Sequence, residues 1–113
     1  MSDWQEIDRW GENLTKYSRE RARLAELDAR LEKHDRMGKH ILAMAMAASE
    51  EASAAAQRRD AEGSDLYLAW IEEGFTVRKE REECKARCSA IEIWFDMVRT
   101  LESTRRAEMQ LAR

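Results

Sequence analysis

The sequence has no proline, only four glycines and two cysteines, and aromatic side chains make up 7% of its 113 residues. Each shortage excludes something. A fold built from many short strands needs Gly- and Pro-rich turns, so an all-β chain is excluded. Two cysteines are too few for a disulfide framework. No apolar run reaches the about 18 to 20 residues that a membrane span requires. The start, Met1-Ser2-Asp3-Trp4-Gln5-Glu6, lacks the basic residues and apolar stretch of a secretory signal. The expectation is a helix-rich, cytoplasmic protein that does not enter a membrane.

A surplus of charge of one sign is also missing. Lys and Arg number 20 and Asp and Glu 23, a net charge of −3, and the two signs are interspersed along the chain. Pairs such as Glu26–Arg30, Glu32–Arg36 and Glu83–Arg87 have the i,i+4 spacing of ion pairs on a solvated helix face. The densest basic runs are Arg19, Arg21, Arg23 and Arg105, Arg106, each with glutamates among them. A nucleic-acid-binding stripe usually excludes acids, so nucleic-acid binding is the alternative reading of function rather than the first.

What is present is heptad order. The segment Asp60-Ala61-Glu62-Gly63-Ser64-Asp65 is the clearest break. Gly63 is suited to a left-handed helix end, and Ser64 or Asp65 to capping the next helix. After it, Tyr67, Trp70, Gly74, Val77, Arg81, Cys84, Cys88, Ile91, Phe95 and Val98 follow steps of three and four. Before it, so do Tyr17, Glu20, Leu24, Leu27, Leu31, His34, Gly38, Ile41, Ala45, Ala48, Ala52 and Ala55. Each set makes one seam on a helix, uncharged but for a single member, Glu20 in one and Arg81 in the other. Ile71, Trp94 and Leu101 widen the second stripe.

These patterns predict an all-α fold, a long antiparallel helical hairpin of coiled-coil type within a single domain. A helix over 13–60, with Gly38 as a candidate break, is joined by a turn at 61–64 to a helix over 65–112. Folding about that turn places residue i near residue 125 − i. Residues 1–11 then have no partner, and Trp4, Ile7 and Trp10 form an apolar stripe behind a Ser2/Gln5 capping-box spacing. A short N-terminal helix bending at Gly11 is expected there. The apolar positions left over by a two-helix hairpin call for cover, and a homodimer forming a helical bundle is the expectation. The alternative is a monomer that breaks at Gly38 into a compact bundle.

Chemistry-bearing constellations are sparse. There is no Glu-x-x-His pair, phosphate-binding glycine loop or nucleophile elbow. Glu72–Glu73 and Glu82–Glu83 point apart on a helix and read as charged surface. Met37, Met44 and Met46 read as core. The predicted register brings His34 and His40 toward Cys84 and Cys88, so a zinc site is a lesser alternative. Buried seam cysteines and a satisfied seam histidine are the plainer reading. The same register places Arg19 and Arg21 beside Arg106 and Thr104, a basic end for the nucleic-acid alternative. No cofactor is expected.

Ile91-Glu92-Ile93-Trp94-Phe95-Asp96-Met97-Val98-Arg99-Thr100, with Thr104-Arg105-Arg106-Ala107-Glu108-Met109 after it, resembles the ending of small helical proteins encoded by temperate phages and prophages. Tyr67, Trp70 and Gly74 upstream share the resemblance, which covers roughly residues 60–112. It implies an accessory protein encoded near recombination or early-region genes, and no catalytic residues. The expected function is therefore non-enzymatic binding of a phage or host protein of DNA metabolism or defence. The expected docking surface is Trp4, Ile7 and Trp10, with Trp94 and Leu101 as the second choice, because large aromatics anchor interfaces.

Overall fold

The computed structural model describes the backbone of residues 3–112 and the side chains of residues 5–112. Among the described residues three helices follow in order: α1 over Asp3–Ala47, α2 over Ala54–Glu62 and α3 over Asp65–Leu111. Among the described residues there is no strand. The fold is an all-α helical hairpin, and no described helix is long and apolar enough to cross a membrane.

The chain forms two compact units. One comprises residues 24–82, and the other joins residues 1–23 with 83–113. In the first unit the core is Leu24, Leu27, His34, Ala45, Ala61 and Val77, all buried. In the second, Cys84, Cys88 and Ile91 are buried. Every seam position expected on α3, from Tyr67 to Val98, is buried or half-buried. On α1 the seam holds from Tyr17 to Ala45. It fails at Ala48, Ala52 and Ala55, which are exposed.

That failure has a local cause. Alanine is the best helix former, so an alanine-rich run reads as continuous helix. Two serines interrupt it. The Ser49 hydroxyl accepts from the Glu51 N–H, and the Ser53 hydroxyl accepts from the Ala56 N–H at 3.1 Å, capping α2. Such bonds offer the backbone an alternative to helix. Residues 48–53 therefore leave the helix. At the other end of α2, Gly63 closes the helix at φ −95° rather than in the left-handed region. Ser64 accepts from the Tyr67 N–H and so caps α3.

Because the turn-around takes up residues 48–64, the pairing is displaced from the expected register. In the first unit His34 meets Trp70 instead of residue 91, and Asp35 meets Arg78. Arg81 meets Asp28. In the second unit Glu20, expected opposite Arg105, bonds Cys84 and Arg87. Two further expectations fall with the register. There is no separate N-terminal helix, since α1 runs unbroken through Gly11 and Gly38. Residues before Gly11 do have a partner, since Trp10 packs on Trp94 and Phe95. Met37 and Met44 are exposed rather than core.

The register of the first unit is fixed by two rings and two glycines. The His34 and Trp70 rings stack at 4.5 Å, 1° from parallel. His34 Nε2 donates to the Trp70 carbonyl at 2.6 Å, and Trp70 Nε1 donates to the His34 carbonyl at 3.0 Å. Each ring lies over the glycine one turn beyond its partner. A Cβ on Gly38 would meet the Trp70 ring at 2.8 Å, and one on Gly74 would meet the His34 ring at 2.6 Å. Gly11 has nothing within 4 Å of an added Cβ.

Helical glycines normally gain about 1 kcal/mol when replaced by alanine. That sign should hold for Gly11→Ala and reverse for Gly38→Ala and Gly74→Ala, where overpacking costs about 1–3 kcal/mol. Thermal unfolding followed by circular dichroism distinguishes the cases. A Gly74→Ala chain as stable as Gly11→Ala would show that the ring stack does not hold the register.

Candidate protein-docking face

The unit formed by residues 1–23 and 83–113 gathers most of the aromatic side chains. Trp10 from α1 meets Trp94 edge-on at 5.3 Å and Phe95 at 4.8 Å. Phe95 also meets Tyr17 at 6.4 Å and Trp94 at 5.1 Å. Sequence spacing explains the grouping. Phe95 is a seam position, Trp94 sits beside it on the widened stripe, and Trp10 and Tyr17 are one heptad apart on α1. Trp10 and Trp94 remain half-buried.

Beside this cluster the face turns apolar and open. Ile93, Met97 and Leu101 follow one another at i,i+4 spacing on α3 and are 59%, 59% and 63% exposed. With Asp96 and Thr100 they line a shallow depression of about 390 Å³. A second groove of about 270 Å³ is lined by Trp10, Trp94, Met97, Val98 and Leu101, with Glu6, Arg9, Glu102 and Arg105 at its polar edge. An apolar centre with a charged rim is the anatomy of a protein interface.

Of the expected docking residues, the fold brings together Trp10, Trp94 and Leu101 around this groove. Ile7 is exposed and lines a different depression, with Gly11, Lys16 and Arg19 among its neighbours. The side chain of Trp4 and the Ser2 cap lie outside the described residues. Ile93 and Met97 were not singled out, although both lie on α3 at i,i+4 from Leu101 or from each other. Both belong to a second heptad stripe on the same helix.

Electrostatics in this unit concentrate on Glu20. Its carboxylate accepts from Arg87 Nε at 2.9 Å and from the Cys84 thiol at 3.3 Å, and its own carbonyl lies 3.1 Å from the same sulfur. The Arg87 hydrogen bond holds the Glu20 carboxyl below the ordinary carboxylate range. Burial first, and the bond to Glu20 second, push the Cys84 thiol up. A thiol held protonated in this way is a poor nucleophile and a poor metal ligand. Tyr17 donates to Glu92 at 2.5 Å, which raises its phenol.

The metal and basic-end readings both depended on the expected register. His34 packs on Trp70 and Gly74, while the Cys84 sulfur is taken by Glu20. Neither His34 nor His40 is brought to Cys84 or Cys88 by the observed pairing. No group of three or more His, Cys, Asp or Glu that could hold a metal exists among the described residues. Arg19 lines a depression with Glu12 and Glu20, whereas Arg105 lines the aromatic groove with Glu6 and Arg9 and pairs with Glu102. Arg19 and Arg21 therefore do not join Arg105 and Arg106 in one basic end.

Comparison of the chain with protein-family models, with curated proteins and with solved structures finds no match.

The depressed Glu20 carboxyl gives a signed expectation. A carboxylate with a lowered pKa in the folded state adds stability that is present above the unfolded value, about 4.3 for Glu, and lost as pH falls through the folded one. At pH 7 the Glu20→Gln chain should unfold at a lower temperature than the wild type. The difference should shrink on acidification below about pH 4. A difference that stays constant from neutral to strongly acid pH would show that the Glu20–Arg87 pair does not contribute as a charge.

Proposed function

We propose that the chain is a non-enzymatic interaction protein that docks another protein through the apolar face formed by Trp10, Trp94, Met97 and Leu101. The observation that carries the reading is the exposure of Ile93, Met97 and Leu101, each more than half open, next to a half-buried tryptophan pair. Exposed large apolar side chains grouped on one face mark interaction sites rather than settled surface. Tryptophans anchor such sites when neighbouring side chains exclude water from them. The polar rim of Glu6, Arg9, Glu102 and Arg105 supplies both signs of charge for orienting a partner.

The resemblance of residues 60–112 to phage-encoded accessory proteins supplies the context proposed for the partner, a phage or host protein of DNA metabolism or defence. The nucleic-acid alternative has no observation in its favour. Its two arginine clusters stay apart, and acidic side chains accompany each.

The test is affinity capture with tagged protein from cells that express it, comparing the wild type with Leu101→Glu and with Arg36→Glu, a charge change on exposed surface of the other unit. The expected outcome is a protein enriched by the wild type and by Arg36→Glu and lost from Leu101→Glu, with helical content unchanged in all three. An identical set of proteins captured by wild type and Leu101→Glu would remove the docking face.

A further inference from the structure

Helix α3 carries a second heptad seam on the side away from the first. Ala86, Ala90, Ile93, Met97, Thr100, Thr104, Ala107 and Leu111 follow steps of three and four without interruption, and all eight are uncharged and exposed. The two threonines add no free polarity. Thr100 Oγ1 donates to the Asp96 carbonyl at 2.9 Å and Thr104 Oγ1 to the Thr100 carbonyl at 3.1 Å, so their hydroxyls are turned back onto their own helix. Upstream, the same spacing falls on Glu83 and Lys79, so the uncharged stripe is confined to the second unit. It covers nearly four heptads, about 38 Å of helix. Heptad order over that length is the signature of a coiled-coil partner, and none of the described residues of the hairpin covers it.

We infer that this stripe is a dimer seam on which a second copy of the chain packs its own α3 antiparallel, about a two-fold axis between residues 98 and 99. The inference rests on the docking reading above and names its occupant. Three features of the sequence on this face select that arrangement. Antiparallel pairing about this axis sets Ala86 against Leu111 of the second copy, Ile93 against Thr104 and Met97 against Thr100, so large faces small in each of these layers. Ala90 and Ala107 meet and permit close approach. On one flank Arg87 falls opposite Glu108, and Trp94 opposite Leu101, so opposite charges and apolar neighbours coincide. Arg87 commits its Nε to Glu20, and a guanidinium has further donors for a second carboxylate.

On the other flank Ser89 falls opposite Gln110 and Asp96 opposite Ser103, with no like charges meeting. Other arrangements lose these matches. Sliding the copies until Trp94 faces itself brings Asp96 against Asp96 of the second copy. A parallel pair places Asp96 beside Leu101 and sets Ile93 on Ile93 and Met97 on Met97, so large meets large and small meets small. A two-fold interface is self-complementary by construction, and the antiparallel register about residues 98 and 99 is the one that combines large-against-small layers with the Arg87–Glu108 pair.

Sedimentation equilibrium on the full chain from low to high micromolar concentration should show a dimer. Met97→Glu, on an exposed position, should keep the helical content and weaken dimerisation about a hundredfold or more, because it buries a charge in the seam. Direction is read separately by mixing Ala90→Cys and Ala107→Cys chains under mild oxidation, with peptides identified by mass spectrometry. The antiparallel dimer gives the mixed 90–107 disulfide, and a parallel dimer gives 90–90 and 107–107. A monomer at all concentrations, a dimer that survives Met97→Glu, or a predominance of the like-with-like disulfides would each overturn the proposal. A monomer that still captures a cellular protein through Leu101 would leave the docking reading standing and remove the second copy as its occupant.

Discussion

The pairing of His34 with Trp70 is the contact on which the hairpin depends. Two long helices with uncharged seams can slide past one another by whole heptads at little cost, since each slide again sets apolar against apolar. What forbids sliding in the first unit is a contact that cannot be repeated elsewhere. Each ring bonds the other residue's backbone carbonyl, and each needs a glycine one turn along the opposite helix. His34 with Gly38 and Trp70 with Gly74 form the same four-residue spacing on both helices, so the contact is nearly symmetric. Any displacement would press a ring against a Cβ and leave buried polar atoms unpaired, a penalty of the kind that specifies register in coiled coils. Buried apolar seams supply affinity here, and the stacked rings decide alignment.

The two units are built differently. Residues 24–82 bury leucines, a valine and alanines around the ring stack and close through capped turns. Residues 1–23 and 83–113 build their contact from cysteines, an isoleucine and a band of aromatics, with Glu20 and Arg87 at its side. Two helices can bury only one stripe each, and α3 carries two in this region. The second stripe is therefore left on the surface by the geometry of a hairpin, whatever the quality of the first. That is the physical origin of the exposed apolar face.

Much of this was legible in the sequence. The heptad steps identified every seam position of α3 and those of α1 as far as Ala45, and the absence of proline permitted long uninterrupted helices. Trp10, Trp94 and Leu101 stood out in the sequence as large apolar residues beside the seams, and the fold gathers them around one groove. The register was not legible. An alanine run has high helix propensity, and the serine caps at Ser49 and Ser53 that break it are worth only about 1 kcal/mol each. A reading weighted by propensity extends the helix through them. Once the turn moved, every pairing inferred from it moved as well, including the histidine–cysteine and arginine–arginine approaches. The glycines at 38 and 74 were visible as interruptions, and their use as seats for rings was not, because that requires knowing what lies across from them.

The sequence by itself determined helicity and the faces that are buried, since these follow from periodicity within one helix. Tertiary structure alone decided which face meets which. The energy of a heptad seam is nearly degenerate under translation by seven residues, so only interactions between specific distant groups, here two rings and two missing Cβ atoms, select one alignment.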